Sequence, residues 1–117
     1  MGKIYEIESP LSDADIIDVR IEVEKGKVLS FSVNYRILVN GKWHQVYRVD
    51  TAHGYLHEQR YWISAESIQL RAKEKLFATR KELLNHYIDE IKQNYRLYKK
   101  LYLEKLRGGG NYGNGQD

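Results

Sequence analysis

Two stretches of strict alternation set the pattern of the chain. Ile17, Val19, Ile21 and Val23 alternate with Asp18, Arg20, Glu22 and Glu24, and Phe31, Val33, Tyr35, Ile37 and Val39 alternate with Ser30, Ser32, Asn34 and Arg36. A period of two with one apolar side predicts half-buried strands. Lys3–Ile7 predicts a short first strand, closed by Glu8-Ser9-Pro10, and Ser12-Asp13-Ala14-Asp15 reads as a turn. Lys25-Gly26-Lys27 turns the second strand into the third. A two-residue loop there sets Ile21 beside Ser30 and puts hydrophobes on opposite faces. A loop of odd length sets Ile21 beside Phe31 and Val19 beside Val33, so the odd loop is expected, because a one-residue slip turns every side chain over.

Asn40-Gly41 between apolar runs is the signature of a type I′ hairpin. Counted without interruption, it pairs Tyr35 with Val46, Val33 with Arg48 and Phe31 with Asp50. That gives an apolar face an arginine and an aspartate. Such a conflict marks either a functional site or a β-bulge near Arg48. Residues 55–63 predict one more strand.

Ser64 then reads as an N-cap, and helical signal runs to Arg107. Leu84, Ile88, Ile91, Tyr95, Tyr98 and Tyr102 form one stripe at three- and four-residue steps. Unbroken, a helix of about 40 residues would be roughly 60 Å long. It must therefore break, or project and pair with another chain. Thr79-Arg-Lys-Glu82 fits a capping box and is the expected break. The fold class is α+β: an antiparallel sheet of four to five strands, then a long, breakable C-terminal helix packed on the Phe31/Val33 face. Residues 1–107 form a single domain and 108–117 a flexible Gly/Asn-rich tail.

Composition narrows the function. The 117 residues hold no cysteine, which excludes disulfides and thiolate chemistry. No apolar run reaches the roughly 20 residues of a membrane span and the start lacks a signal-peptide core, so a cytoplasmic protein without membrane partners is expected. The net charge of +3 is uneven. Residues 1–70 carry 8 Lys/Arg against 10 Asp/Glu, and residues 71–107 carry 11 against 5. A basic C-terminal part suits an anionic partner. Lys92, Arg96, Lys99 and Lys100, interleaved with tyrosines, are its candidate nucleic-acid contacts.

The chemistry concentrates in Arg48–Trp62, fifteen residues with two histidines, two arginines, two acids, two tyrosines and a tryptophan. His53 and His57 stand too far apart on an extended strand, about 13 Å, to share an ion unless the chain folds back at Gly54. No zinc-type pattern accompanies them, so no metal and no cofactor is expected. Histidine exchanges protons near neutral pH, and arginine forks match phosphate. His53, His57, Arg48, Arg60 and Tyr55 suffice for RNA cleavage through the 2′-hydroxyl, with Asp50 orienting a histidine. Asp50, His53, His57 and Arg48 or Arg60 are expected to converge at one end of the sheet. The competing reading makes these residues structural, with Asp50 paired to an arginine and Tyr61-Trp62 in the core.

The run Val49-Asp50-Thr51-Ala52-His53-Gly54-Tyr55-Leu56-His57, with the strand pattern Tyr35–Trp43 before it, resembles the Asp-x-Ala-His/Pro-Gly-x-x-His signature of small TumE-like proteins and of a related domain family of unknown function. TumE-like proteins are assigned as toxin halves of toxin–antitoxin pairs. The resemblance covers roughly residues 30–62. It implies a small α+β domain, singles out Asp50, His53, Gly54 and His57, and implies a cognate antitoxin as partner. Two functions follow as expectations. One is a toxin-like effector cleaving or binding RNA without metal. The other is a non-catalytic interaction protein that oligomerises through its C-terminal helix, at least as a dimer through about residues 84–106.

Overall fold

The computed structural model describes residues 2–52 and 54–111. Six strands run in chain order as an open antiparallel sheet: β1 (Lys3–Ser12), β2 (Asp15–Glu24), β3 (Lys27–Val39), β4 (Lys42–Asp50), β5 (His57–Arg60) and β6 (Ile68–Gln69). A short helix α1 (Arg71–Glu74) follows, and then α2 (Arg80–Asn111). The α+β class holds, with four long strands and two short ones.

The β2–β3 register is Ile21 beside Phe31 and Val19 beside Val33, as the apolar pattern requires. The means differs from the expected odd loop. Lys25 and Gly26 both have positive φ, 51° and 78°, so the loop is a two-residue turn between Glu24 and Lys27. The missing residue is taken up higher in the hairpin, where Glu22 faces Ser30 but Val23 faces Val28, leaving Leu29 as a bulge.

The β3–β4 hairpin repeats the device. Asn40 and Gly41, at φ 52° and 76°, make the expected turn. Tyr35 faces Tyr47 while Arg36 faces Gln45, so Val46 is extra. Beyond this bulge Val33 meets Val49, Arg48 meets Asn34 and Asp50 meets Ser32. The apolar face thus receives Tyr47 and Val49, and the arginine and aspartate go to the polar face.

The helical half starts later than expected. Ser64 caps no helix: its Oγ accepts the Glu66 N–H at 2.9 Å in a turn. The chain then adds β6 to the sheet before α1. The break falls at Thr79, where Thr79 Oγ1 accepts the Glu82 N–H (3.1 Å) and a Glu82 carboxylate oxygen accepts the Thr79 N–H (3.2 Å), a reciprocal capping box. α2 continues to Asn111, four residues into the segment expected as tail, and 112–117 lie outside the described residues.

α2 lies across β3 and β4, and Leu83, Leu84, Tyr87 and Ile91 close a core with Ile17, Phe31, Val33, Tyr35, Val46 and Val49. Its aromatic stripe also lies on its own sheet. Tyr95 meets Tyr35 edge-on at 5.9 Å, Tyr98 packs on Trp62 (4.9 Å) and Tyr47 (5.2 Å), and the Tyr102 hydroxyl reaches His44 Nδ1 at 3.1 Å. A typical strand of about six residues spans only some 20 Å and would leave part of this stripe uncovered. β3 has 13, about 43 Å of strand, against about 48 Å for the 32 residues of α2. The sheet is nearly as long as the helix and covers most of its stripe.

Candidate functional site: an aspartate–histidine pair on the open sheet face

The bulge at Val46 places Arg48 and Asp50 on the face turned away from α2. Asp50 ends β4, where the next residue locks the chain: the Thr51 N–H donates to the Phe31 carbonyl and Thr51 Oγ1 accepts the Phe31 N–H, both at 3.0 Å. Gly54, at φ 85°, bends the chain back, which an L side chain would resist. β5 then runs antiparallel to β4 with His57 opposite Asp50.

Asp50 collects three donors. Its Oδ1 accepts the Ala52 N–H at 2.9 Å and lies 2.8 Å from His57 Nε2; its Oδ2 accepts Arg48 Nε–H at 2.9 Å. Asp50 and His57 are buried, whereas the Arg48 side chain is about one-third exposed. Three donors on one carboxylate fix the plane and orientation of the imidazole. Arg48 also lines an open groove of about 490 Å³ on this face, with Gln45 of β4, Ser32 and Asn34 of β3, Asp18 and Arg20 of β2, and Glu6 and Glu8 of β1. At the far end Arg36 holds Asp18 (2.7 Å) and stacks on the exposed Trp43 ring at 4.5 Å.

Of the residues expected to converge, Asp50, His57 and Arg48 do so. Tyr55 stands beside them, its ring 5.7 Å from the His57 ring. Arg60 does not join them. β5 alternates, so His57 and Gln59 face the open side while Glu58 and Arg60 lie on the α2 side. His53 lies outside the described residues.

On the α2 side the structure holds a buried tyrosine–glutamate pair, Tyr47 and Glu58, that pattern reading missed, with the exposed Arg60 at its edge. Glu58 accepts the Tyr47 hydroxyl at 2.6 Å and Arg60 Nε–H at 2.7 Å. Burial, and then the Glu58 carboxylate, push the Tyr47 phenol far above its ordinary value. Burial works against the Arg60 charge, but Glu58 more than offsets it and raises its pKa. A second set is built on Asp15, which accepts the Tyr35 hydroxyl (2.6 Å) and a Ser12 hydroxyl and stands 3.3 Å from Lys99 Nζ. Burial pushes the Asp15 pKa up, but these two hydroxyls and the Lys99 charge outweigh it and leave the pKa lowered. The available signal was an acid at the start of one strand and another inside a second, each two residues from the position paired with a core tyrosine.

The four basic candidates on α2 therefore divide. Lys92, Arg96 and Lys100 are exposed, with Arg96 over the Tyr95 ring at 4.8 Å, whereas Lys99 turns inward to Asp15.

Residues 2–108 match a domain of unknown function, DUF7718, and the chain belongs to that family. No curated protein and no solved structure matches it. Among the described residues, no helix is long and apolar enough to cross a membrane.

Proposed function

We propose that this protein is a small cytoplasmic toxin-like effector that acts on RNA without a metal, with His57 as its acid–base group. The observation that carries this reading is the Asp50–His57 contact of 2.8 Å beside a partly exposed arginine. With Nε2–H donated to Asp50, Nδ1 is the ring atom that exchanges the proton; it is buried, so the reading requires RNA to displace the groups that cover it. It takes the proton of a 2′-hydroxyl as that oxygen attacks the adjacent phosphorus. Asp50 stabilises the imidazolium that results, and the Arg48 guanidinium offsets charge building on the phosphoryl oxygens. The leaving 5′-oxygen receives a proton from a second group, for which Tyr55 is the candidate among the described residues. The resemblance of the Asp50–His57 run to TumE-like toxins supports the same reading, with a cognate antitoxin as partner. Induced expression in a bacterial host tests it. Wild type should arrest growth, and a His53→Ala/His57→Ala double variant produced at equal soluble level should not. Equal toxicity, or equal harmlessness, overturns the reading.

A second reading, a non-catalytic interaction protein, is favoured by one observation. β1 is an edge strand, and its Ile4, Tyr5 and Ile7 are each about half exposed. A free edge with apolar side chains is suited to pairing with another strand. Under this reading the Asp50–His57 pair serves only to fasten the β4–β5 connection, and substituting it changes stability without changing any activity on RNA.

A further inference from the structure

A pocket of about 500 Å³ opens at the end of the sheet between the Gly54-Tyr55 bend and the α1–α2 junction. Tyr55 belongs to both places. One neighbour of its ring is the His57 imidazole, at 5.7 Å, and another is the Arg71 guanidinium, 4.4 Å from the ring centroid. Lys75 lines the pocket beside Arg71, and both are exposed. Phe77 is half-buried in the wall, and the buried Leu83 forms an apolar floor.

Two further charges in the wall are already engaged. Arg80 donates to the Leu29 carbonyl (2.6 Å) and the Gly54 carbonyl (2.9 Å), tying α2 to β3 and to the bend. Glu74 accepts the Leu56 N–H at 2.9 Å and stands 3.5 Å from Arg80. What the pocket presents to a ligand is therefore two cations, an aromatic ring and an apolar floor. A phosphate with a flat ring attached uses all of these; a carboxylate side chain uses only the cations.

We propose that this pocket is a nucleotide subsite, holding the nucleotide next to the phosphodiester that sits at His57. A strand of RNA would pass from Arg48 and His57 over Tyr55, with a base against the Tyr55–Arg71 pair and its phosphate between Arg71 and Lys75. The identification of the ligand as RNA rests on the function proposed above; the pocket's affinity for a nucleotide does not.

Two probes separate these claims. One is adenosine 5′-monophosphate, followed by amide chemical shifts. The other is a short single-stranded oligoribonucleotide with 2′-O-methyl groups, which cannot be cleaved, followed by fluorescence anisotropy. The mononucleotide is expected to move the amides of Gly54, Tyr55 and residues 71–83. Arg71→Glu and Lys75→Glu are each expected to weaken oligonucleotide binding about tenfold, and Tyr55→Leu by a similar factor. Lys42→Glu, exposed at the distant β3–β4 turn, should change it less than about twofold. Wild-type affinity in Arg71→Glu and Lys75→Glu overturns the subsite; if wild type still cleaves RNA, the proposed function survives. Mononucleotide shifts at the pocket with no oligonucleotide binding by wild type keep the nucleotide site and overturn the RNA substrate.

Discussion

Lys99 Nζ stands 3.3 Å from Asp15 Oδ2, an ion pair that joins residues 84 positions apart and fastens the middle of α2 to the start of β2. Asp15 is buried and also accepts the Tyr35 hydroxyl, so the helix, β2 and β3 meet on one carboxylate. Removing the charge should loosen all three. Asp15→Asn is expected to cost about 2 kcal/mol, the scale of hydrogen bonds to a charged group. Chemical denaturation at neutral pH checks it.

Acid dependence follows from the same group. Its folded pKa is lowered below the ordinary 3.8, so the folded state binds fewer protons than the unfolded chain in that range. The stability it contributes is present above pH 3.8 and is lost as pH falls through the lower folded value. In Asp15→Asn the fall in stability below pH 3.8 should be shallower than in wild type, measured as denaturation midpoint against pH.

Alkali acts on the tyrosines. Burial raises the phenols of Tyr35, Tyr47 and Tyr87, and Tyr98 is pushed up to about 12, by burial first and then by Glu90 and Glu58. The folded state then holds protons that the unfolded chain releases near pH 10. Their stability is present below pH 10 and is lost as pH rises through the folded values. Ultraviolet titration should show a first group of exposed phenols ionising near pH 10. A second group should appear only with unfolding. All phenols ionising together while near-ultraviolet dichroism stays native would contradict this packing.

Tyr98 separates a helix covered by its own sheet from one awaiting a partner chain. Its ring lies 4.9 Å from Trp62 and 5.2 Å from Tyr47. Tyr98→Glu is expected to destabilise each chain by about 3 kcal/mol, the scale of losing a large aromatic contact. A change in mass by light scattering with an unchanged melting temperature would instead place Tyr98 in an interface between chains.

Much of the fold was legible because alternation determines the face and the face determines the register. The pairing of Val19 with Val33 could be argued before any coordinates, since a slip of one residue puts the hydrophobes of the two strands on opposite faces. The bulges at Leu29 and Val46 were harder to place. A bulge leaves no local residue signature and shows only as a conflict between two counts, as Arg48 and Asp50 did against Phe31 and Val33. Thr79 was legible because its capping box is local. Ser64 misled for the same reason: a serine that closes a turn and a serine that caps a helix look alike until β6 is seen. At the site, Asp50, His57 and Arg48 were legible as a dense motif. The separation of Arg60 depended on β5 alternation, which starts only once Gly54 has set the return. Asp15 escaped notice because it stood in an expected turn, and Glu58 because it is one polar residue in the run His57-Glu58-Gln59-Arg60.

Cleavage of single-stranded RNA by the purified chain in the presence of a chelator tests the role of the Asp50–His57 pair most directly. Wild type should cleave and leave 2′,3′-cyclic phosphate ends, the product of 2′-hydroxyl attack. His57→Gln should lower the rate by about 10² to 10⁴, the range of one acid–base group. Its circular dichroism should stay native, and Arg48→Ala should fall between the two. Cleavage that persists undiminished in a folded His57→Gln protein, or no cleavage by wild type at any RNA sequence, would contradict it.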